Sequence, residues 1–228
     1  MIKSSCNLTD CFLCRYCIPE WRGLIALEKK TVLFKKGRQI FKEGEKVTGI
    51  HCLLSGSVKI HKQWTDPKEL IIRFAKTGDI VGHRGLGIGD TYPISATAME
   101  ETKSCFIPVE FLETSLKTNA SLTYQLMQFY ALELQKAEKR MRDLALMEVK
   151  GRIATALLDI CDFFGMDQKA HIVPDISRQD IASFAGTTYE TLFKFFQELI
   201  RANIISTSGK SIRLIDPDKL RQFILYGP

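Results

Sequence analysis

Ser177-Arg178-Gln179-Asp180-Ile181-Ala182-Ser183-Phe184-Ala185-Gly186-Thr187-Thr188-Tyr189-Glu190-Thr191-Leu192-Phe193-Lys194-Phe195-Phe196-Gln197-Glu198-Leu199 is the stretch that settles the architecture. Ser177 with an acid three residues on has the spacing of a capping box, and Asp180 in a first turn suits the positive end of a helix dipole. Ile181, Phe184 and Ala185 give that helix its buried face. Gly186 stops it, because a left-handed residue costs glycine little. Thr187 or Thr188 caps a second helix with Glu190 in its first turn, and Leu192, Phe195, Phe196 and Leu199 form the second apolar face. Two short helices about a tight glycine turn make a helix-turn-helix. An ordinary helical hairpin inside a core has the same pattern, and the flanking sequence argues against it.

The segment that follows, Ile204-Ile205-Ser206-Thr207-Ser208-Gly209-Lys210-Ser211-Ile212-Arg213-Leu214, reads as two short strands about a Ser-Gly-Lys-Ser turn, similar to the wing of a winged helix. Lys210 at its tip is placed for a phosphate. On the second helix of the motif, Tyr189, Glu190, Phe193 and Lys194 lie on or near one outward face. A carboxylate there can accept from a cytosine amine, and a lysine can donate to guanine. Ser177, Arg178, Gln179, Thr188 and Thr191 complete the expected DNA-facing set. Charge does not make the case: from Glu148 to Pro228 there are ten Lys/Arg and ten Asp/Glu, so the net +6 of the chain lies in its first 147 residues.

Upstream, residues 119–147 contain neither Gly nor Pro. Leu126, Tyr130, Leu134, Ala137, Met141 and Leu144 recur at steps of three and four, a stripe along one long helix. A narrow stripe on so long a helix favours a dimer seam over packing on its own domain. Residues 20–118 alternate short apolar runs with turns at Lys36-Gly37, Glu43-Gly44, Ser55-Gly56, Asp66-Pro67, Thr77-Gly78 and Gly87–Asp90, the pattern of a small β-barrel or roll. Residues 1–19 are a cysteine-rich leader. The expected division is therefore 1–19 leader, 20–118 β-roll, 119–147 dimerisation helix and 148–228 DNA-binding domain, with an α+β fold class. No segment has the apolar core of a signal peptide or of a membrane span, so a cytoplasmic location is expected. Structural disulfides are then not expected, and the seven cysteines need another reading.

Taken in order, Gly44-Glu45, Leu54-Ser55-Gly56-Ser57-Val58-Lys59, Gly78-Asp79-Ile80-Val81-Gly82, Val149-Lys150-Gly151-Arg152-Ile153-Ala154 and the helix-turn-helix resemble the CRP/FNR family of bacterial regulators over nearly the whole chain. The resemblance implies an N-terminal β-roll (jelly roll) of the cyclic-nucleotide-binding type, a long dimerisation helix and a C-terminal winged helix-turn-helix. It also implies double-stranded DNA, a second copy of the chain and RNA polymerase as partners. Cyclic-AMP-binding members carry Gly-Glu, Arg-Ser and Thr-Ser motifs, where this chain has Gly82-His83, Tyr92-Pro93 and Ala137-Glu138. A cyclic phosphate needs a cation and donors, so cyclic AMP is disfavoured, and Gly82, His83, Arg84 and Tyr92 are left as an effector pocket for some other anion.

The FNR-like branch is the nearer match. Its oxygen sensors hold a [4Fe–4S] cluster between leader cysteines and one roll cysteine, which by resemblance are Cys11, Cys14, Cys17 and, in Thr102-Lys103-Ser104-Cys105-Phe106-Ile107-Pro108, Cys105. Three thiolates at C-x2-C-x2-C can converge on one cluster, and soft sulfur selects iron–sulfur or zinc. The wider leader spacing of the branch departs from Cys14-x2-Cys17. Cys6 as a substitute ligand, zinc or a redox thiol, and no site at all therefore stand as alternatives. Cys52 and Cys161 lie in apolar runs and read as core. On the second helix of the motif the run Tyr189–Lys194 has Lys where the family favours Arg, which loses a bidentate fork. No nucleophile–base set accompanies the four scattered histidines, His51, His61, His83 and His171, so no enzyme is expected. The other class to weigh is a small-anion-sensing module whose winged helix contacts protein rather than DNA.

Overall fold

The computed structural model describes residues 11–65, 68–87, 89–173 and 176–225. Two compact units divide between Gln135 and Lys136. The first begins with helices α1 (Phe12–Tyr16) and α2 (Arg22–Glu28), then strands β1 (Lys30–Phe34), β2 (Gln39–Phe41), β3 (Gly49–Ser55), β4 (Ser57–Thr65), β5 (Lys68–Lys76), β6 (Ile80–Val81), β7 (Ser95–Ala98) and β8 (Thr102–Pro108). Helix α3 (Val109–Thr118) follows, and then α4 (Ala120–Leu146), which runs across the division. The second unit continues with α5 (Val149–Phe164), α6 (Arg178–Ala185), α7 (Tyr189–Arg201), β9 (Ile205–Ser208), β10 (Ser211–Leu214) and α8 (Pro217–Leu225).

The eight strands of the first unit form two antiparallel four-stranded sheets, ordered β1-β8-β3-β6 and β2-β7-β4-β5. Phe41, Leu53, Val58, Ile60, Val81 and Ala96 fill one core of this roll. A second core lies where α1, α2, α3 and α4 bring Leu13, Ile25, Leu112, Leu122 and Leu126 against Ile50, Cys52, Cys105 and Ile107. Strand β3 is therefore buried on both faces, and His51 is buried with Cys52. Burial without a charge partner pushes the His51 imidazole down to about 4, and its Nδ1 is satisfied by the Ser104 hydroxyl at 2.9 Å. Strand β3 opens at Gly49, where a Cβ would stand 2.1 Å from the Ile107 carbonyl oxygen, so only glycine fits.

Several boundaries differ from the sequence expectation. The leader is not a separate appendage from Cys11 onward: Leu13 and three cysteines are interior residues of the roll, Trp21 Nε1 donates to Ser115 Oγ at 2.9 Å, and the Ile18 amide donates to Asn119 Oδ1 at 3.0 Å. Residues 109–118, expected within the strands, form α3. The expected dimer stripe also splits. Leu126 is 8% exposed and belongs to the roll's core, and Tyr130 turns the same way, donating its hydroxyl to the His83 carbonyl. Leu144 is half-buried, Ala137 is exposed, and Leu134 and Met141 remain 61% and 67% exposed. The face of α4 left open carries Tyr124, Met127, Ala131, Leu134 and Met141, at steps of three, four, three and seven.

The same helix sends Glu133 inward, where Oε2 accepts from Arg84 Nη2 at 3.2 Å and forms an ion pair with Arg73 Nε, also at 3.2 Å. Two half-buried guanidiniums face this carboxylate, and removing it leaves both without their charge partner. Glu133→Ala should destabilise the first unit by about 1–3 kcal/mol in urea unfolding. Combining it with Arg73→Met should recover part of that loss. Unchanged stability of the single variant would show that the carboxylate does not hold the guanidiniums.

Candidate nucleic-acid interface and thiol site

The helix-turn-helix is built as its local chemistry requires. Ser177 Oγ caps α6 by accepting from the Asp180 amide at 3.0 Å, and its hydroxyl donates to Asp180 Oδ2 at 2.6 Å. Gly186 closes the helix in a left-handed conformation, φ 64° and ψ 45°. Thr188 then caps α7 by accepting from the Thr191 amide at 3.2 Å. Leu192, Phe195, Phe196 and Leu199 are all interior, so the fixed face of α7 decides which face is presented outward.

That outward face holds the expected residues. Thr188, Tyr189, Glu190, Thr191, Phe193 and Lys194 are exposed, all within the first two turns of α7 and its cap. The rings of Tyr189 and Phe193 stack at 6.2 Å, one turn apart, as a flat apolar step on a helix otherwise polar there. Glu190 is held below the ordinary carboxylate range by its own amide and the Thr188 hydroxyl, so it stays an acceptor at neutral pH. Gln179 is exposed at the start of α6, while Ser177 is half-buried and already committed to its cap. Arg178 is also committed: Nη1 donates to the Gly209 carbonyl at 2.9 Å and so ties the wing tip to the start of α6. Strands β9 and β10 pair as a hairpin with Lys210 exposed at the turn.

Two arginines that sequence reasoning passed over support this reading head. Arg152 Nη1 donates to the Leu144 carbonyl at 2.9 Å and Nη2 to the Gly186 carbonyl at 3.3 Å, bridging the last turns of α4 to the turn of the motif. Arg140 on α4 lies 4.2 Å over the Phe184 ring and donates to the Phe184 carbonyl in α6. Burial pulls its guanidinium down to about 10, still fully charged at neutral pH. The sequence carried a signal for Arg152, within Gly151-Arg152-Ile153, but none for its partners.

In the first unit the expected effector residues have other employment. Gly82 makes a left-handed turn at φ 89° that turns His83 into the interior, 4.9 Å from the Phe129 ring and 5.5 Å from Tyr130. Burial and the nearby Arg73 and Arg84 charges drive the His83 imidazole down to about 3, so it is neutral. Arg84 is taken by Glu133. Tyr92 stacks on Phe41 at 4.2 Å, and its hydroxyl donates to the Gly49 carbonyl at 2.7 Å while accepting from the Gly49 amide at 3.2 Å.

The residues expected to ligate a metal lie in one core, together with Cys52. Cys11, Cys14, Cys17 and Cys105 are all buried in one core, and Cys52 is buried among them. None of these five is in a disulfide. Cys11 Sγ accepts from the Cys14 amide at 3.3 Å and from the thiols of Cys14 and Cys52, which holds Cys11 well below the ordinary thiol range, with Lys29 adding to the effect. Burial raises Cys17, while Arg22 approaches it and opposes the rise. The Nε of Arg22 is buried and makes no hydrogen bond. The thiols meet in pairs, and among the described residues no three His, Cys, Asp or Glu side chains are already drawn in around a single point that could hold a metal ion. Cys6 lies outside the described residues.

The chain matches the model of the cyclic nucleotide-binding domain over residues 31–119 and that of the Crp-like helix-turn-helix domain over residues 151–223. It is 28% identical over 220 residues to the transcriptional activator protein Anr of Pseudomonas aeruginosa, covering 92% of this chain and 89% of that one. It is 27% identical over 206 residues to a CRP-like cAMP-activated global transcriptional regulator of Mycobacterium tuberculosis, covering 89% and 91%. Identity therefore does not separate the two kinds of regulator. Among solved structures, FixK2 of Bradyrhizobium japonicum superposes with a TM-score of 0.75 at 25% identity, covering 85% of this chain and 96% of that one. No helix among the described residues is long and apolar enough to cross a membrane. With both domain models in family order and a reading head capped as its sequence demands, the chain belongs to the CRP/FNR family of DNA-binding transcription regulators.

Proposed function

We propose that the chain acts as a homodimer that reads DNA with α7 and the wing, and that the thiol site, rather than a cyclic nucleotide, receives its signal. The observation that carries DNA reading is the exposed first half of α7, whose polar and aromatic groups are fixed outward by the buried Phe195 and Phe196. Glu190 and Lys194 read base edges, the Tyr189–Phe193 step offers an apolar surface to thymine methyl groups, and Lys210 meets a phosphate. The open face of α4, with Met127, Leu134 and Met141 seven residues apart, supports the seam between two copies.

The thiols of this core supply the soft donor chemistry that an iron–sulfur cluster takes. Its thiolates would come from Cys11, Cys14, Cys17 or Cys105, and Arg22 would donate to sulfur. When bound, such a cluster supplies sensitivity to oxygen or nitric oxide, since its thiolate-held iron is open to oxidation. The protein's own part is transmission. Leu122 and Leu126 of α4 share a core with the cysteines, so repacking around the thiols would shift the part of the helix that carries Met127 and Leu134. Against cyclic AMP stand the engagement of Arg84 by Glu133, the burial of His83 and the committed Tyr92 hydroxyl.

Three outcomes follow. Binding to a DNA duplex should weaken steeply with salt, and Lys210→Ala should lower affinity evenly across sequences while reducing the logarithmic salt slope by about one. A salt-independent complex would point to a protein partner instead. Glu190→Ala should relax preference at a single base pair by about 1–3 kcal/mol in a gel-shift selection, and an unaltered preference would remove Glu190 from base readout. Leu134→Glu should convert the dimer to a monomer in sedimentation. Persistence of the dimer would place the seam elsewhere.

A further inference from the structure

Arg140 and Arg152 grip the helix-turn-helix from outside it, and both take hold of its turn. Phe184 and Gly186 stand at the end of α6, where a helix leaves its last carbonyls without partners of its own. Arg140, on α4, donates to the Phe184 carbonyl and lies 4.2 Å over the ring of the same residue. Arg152, on α5, donates from Nη2 to the Gly186 carbonyl at 3.3 Å and from Nη1 to the Leu144 carbonyl at 2.9 Å, so one guanidinium ties the end of α4 to the turn. A body held at one point swivels. Two carbonyls two residues apart, with a ring face beside them, fix a direction. The direction of α7 follows, because Gly186 is set in a left-handed turn and Thr188 caps α7 two residues on.

Arg140 also adjoins the open face of α4. From Lys136 onward α4 belongs to the second unit, with the helix-turn-helix. Arg140 and the half-buried Leu144 are one turn apart and share a side of the helix. Met141, next to Arg140 in the chain, is 67% exposed. The side chain that grips α6 and a side chain open to a second copy therefore stem from adjacent residues. Met147 and Glu148 lie between α4 and α5, outside both helices. That joint is the place at which the motif can turn against the end of α4, and the two guanidiniums span it.

We infer that Arg140 is a positioning residue for DNA reading: it fixes α7 against the end of α4 and thereby sets the separation of half-sites that a dimer accepts. The inference rests on the homodimeric DNA reader proposed above and adds to it a determinant of spacing that touches no base. The reading helices of such a dimer enter the major groove about one helical turn apart. One added base pair moves a half-site by about 3.4 Å along the axis and turns it by about 35°. A head held at both carbonyls does not follow that displacement. A head released at Phe184 turns at the joint and follows it. Lysine at position 140 keeps a charge over the ring and loses the planar fork.

The test begins with selection of a preferred duplex from a random pool by the full chain. Affinity is then measured for that duplex and for versions with one base pair added or removed between the half-sites. The intact chain should lose at least about tenfold on either altered duplex, whereas Arg140→Met should bind all three within about twofold of one another. Base preference inside each half-site should be the same for both proteins. Arg140→Lys should fall between them. Lys210→Ala should weaken all three duplexes evenly and keep the ratios of the intact chain, which separates lost positioning from lost affinity. Far-UV circular dichroism and sedimentation identify folded dimers. If Arg140→Met does not fold, Phe184→Leu removes the ring under the guanidinium, keeps the carbonyl and should relax spacing in the same direction. A folded Arg140→Met, or Phe184→Leu in its place, that discriminates spacing as sharply as the intact chain overturns the inference. So does a changed base preference within the half-site. Selection of a lone half-site by the intact chain overturns the homodimeric reading and the inference with it, a result distinct from the other two.

Discussion

The pairing of β3 with β8 is the constraint on which the first unit turns. Both strands are interior to their sheet, and the side-chain period of a strand is two, so a slip of one residue would carry Cys52, Cys105, Ile50 and Ile107 to the opposite face together. That face is where α1 and α4 find their apolar partners. Register is therefore set by burial on two sides at once: Leu53 of β3 serves the inner core of the roll while its neighbours serve the outer one. With no polar face to spare, β3 tolerates His51 only as a neutral imidazole bonded to Ser104.

Helix α4 carries two faces of different character. Its 27 residues present one face to the roll, where Leu122, Leu126 and Glu133 are interior, and another to the surroundings, where Met127, Leu134 and Met141 stand open. Arg140, on the part of α4 that belongs to the second unit, reaches α6 through its guanidinium.

The helix-turn-helix was legible in full because its signals are local: a serine cap, a glycine that must be left-handed, a threonine cap and two apolar faces at helical spacing. The wing was legible for the same reason. What escaped depends on distant partners. Leu126 and Tyr130 fit the same three-and-four spacing as Leu134 and Met141, and periodicity cannot say which of two apolar faces meets the roll and which stays open. Cys52 sits in an apolar run and reads as core, and it is core. Only the strand register shows that it lies across from Cys105. Helix α3 escaped because it has no side-chain cap, whereas α8 is capped by Asp216 ahead of Pro217, a local signal that was not read. His83, Arg84 and Tyr92 were expected to share a pocket through family position, but internal partners claim Arg84 and the Tyr92 hydroxyl, and His83 is packed among aromatic rings.

The two units also differ in how far along the chain their contacts reach. In the second, β9 meets β10 across a single turn and α6 meets α7 across Gly186, while α5 packs on the later α8. In the first, Lys30 pairs with Phe106 and Thr31 with Cys105, joining the first strand to the last. Loop closure of that length makes a roll slow to form relative to a small helical domain. During synthesis the leader thiols must wait, without their strand partners, until residues beyond Pro108 have left the ribosome. The cysteines are thus most open to unwanted oxidation before the fold exists, and the last strand to arrive is the one that shelters them.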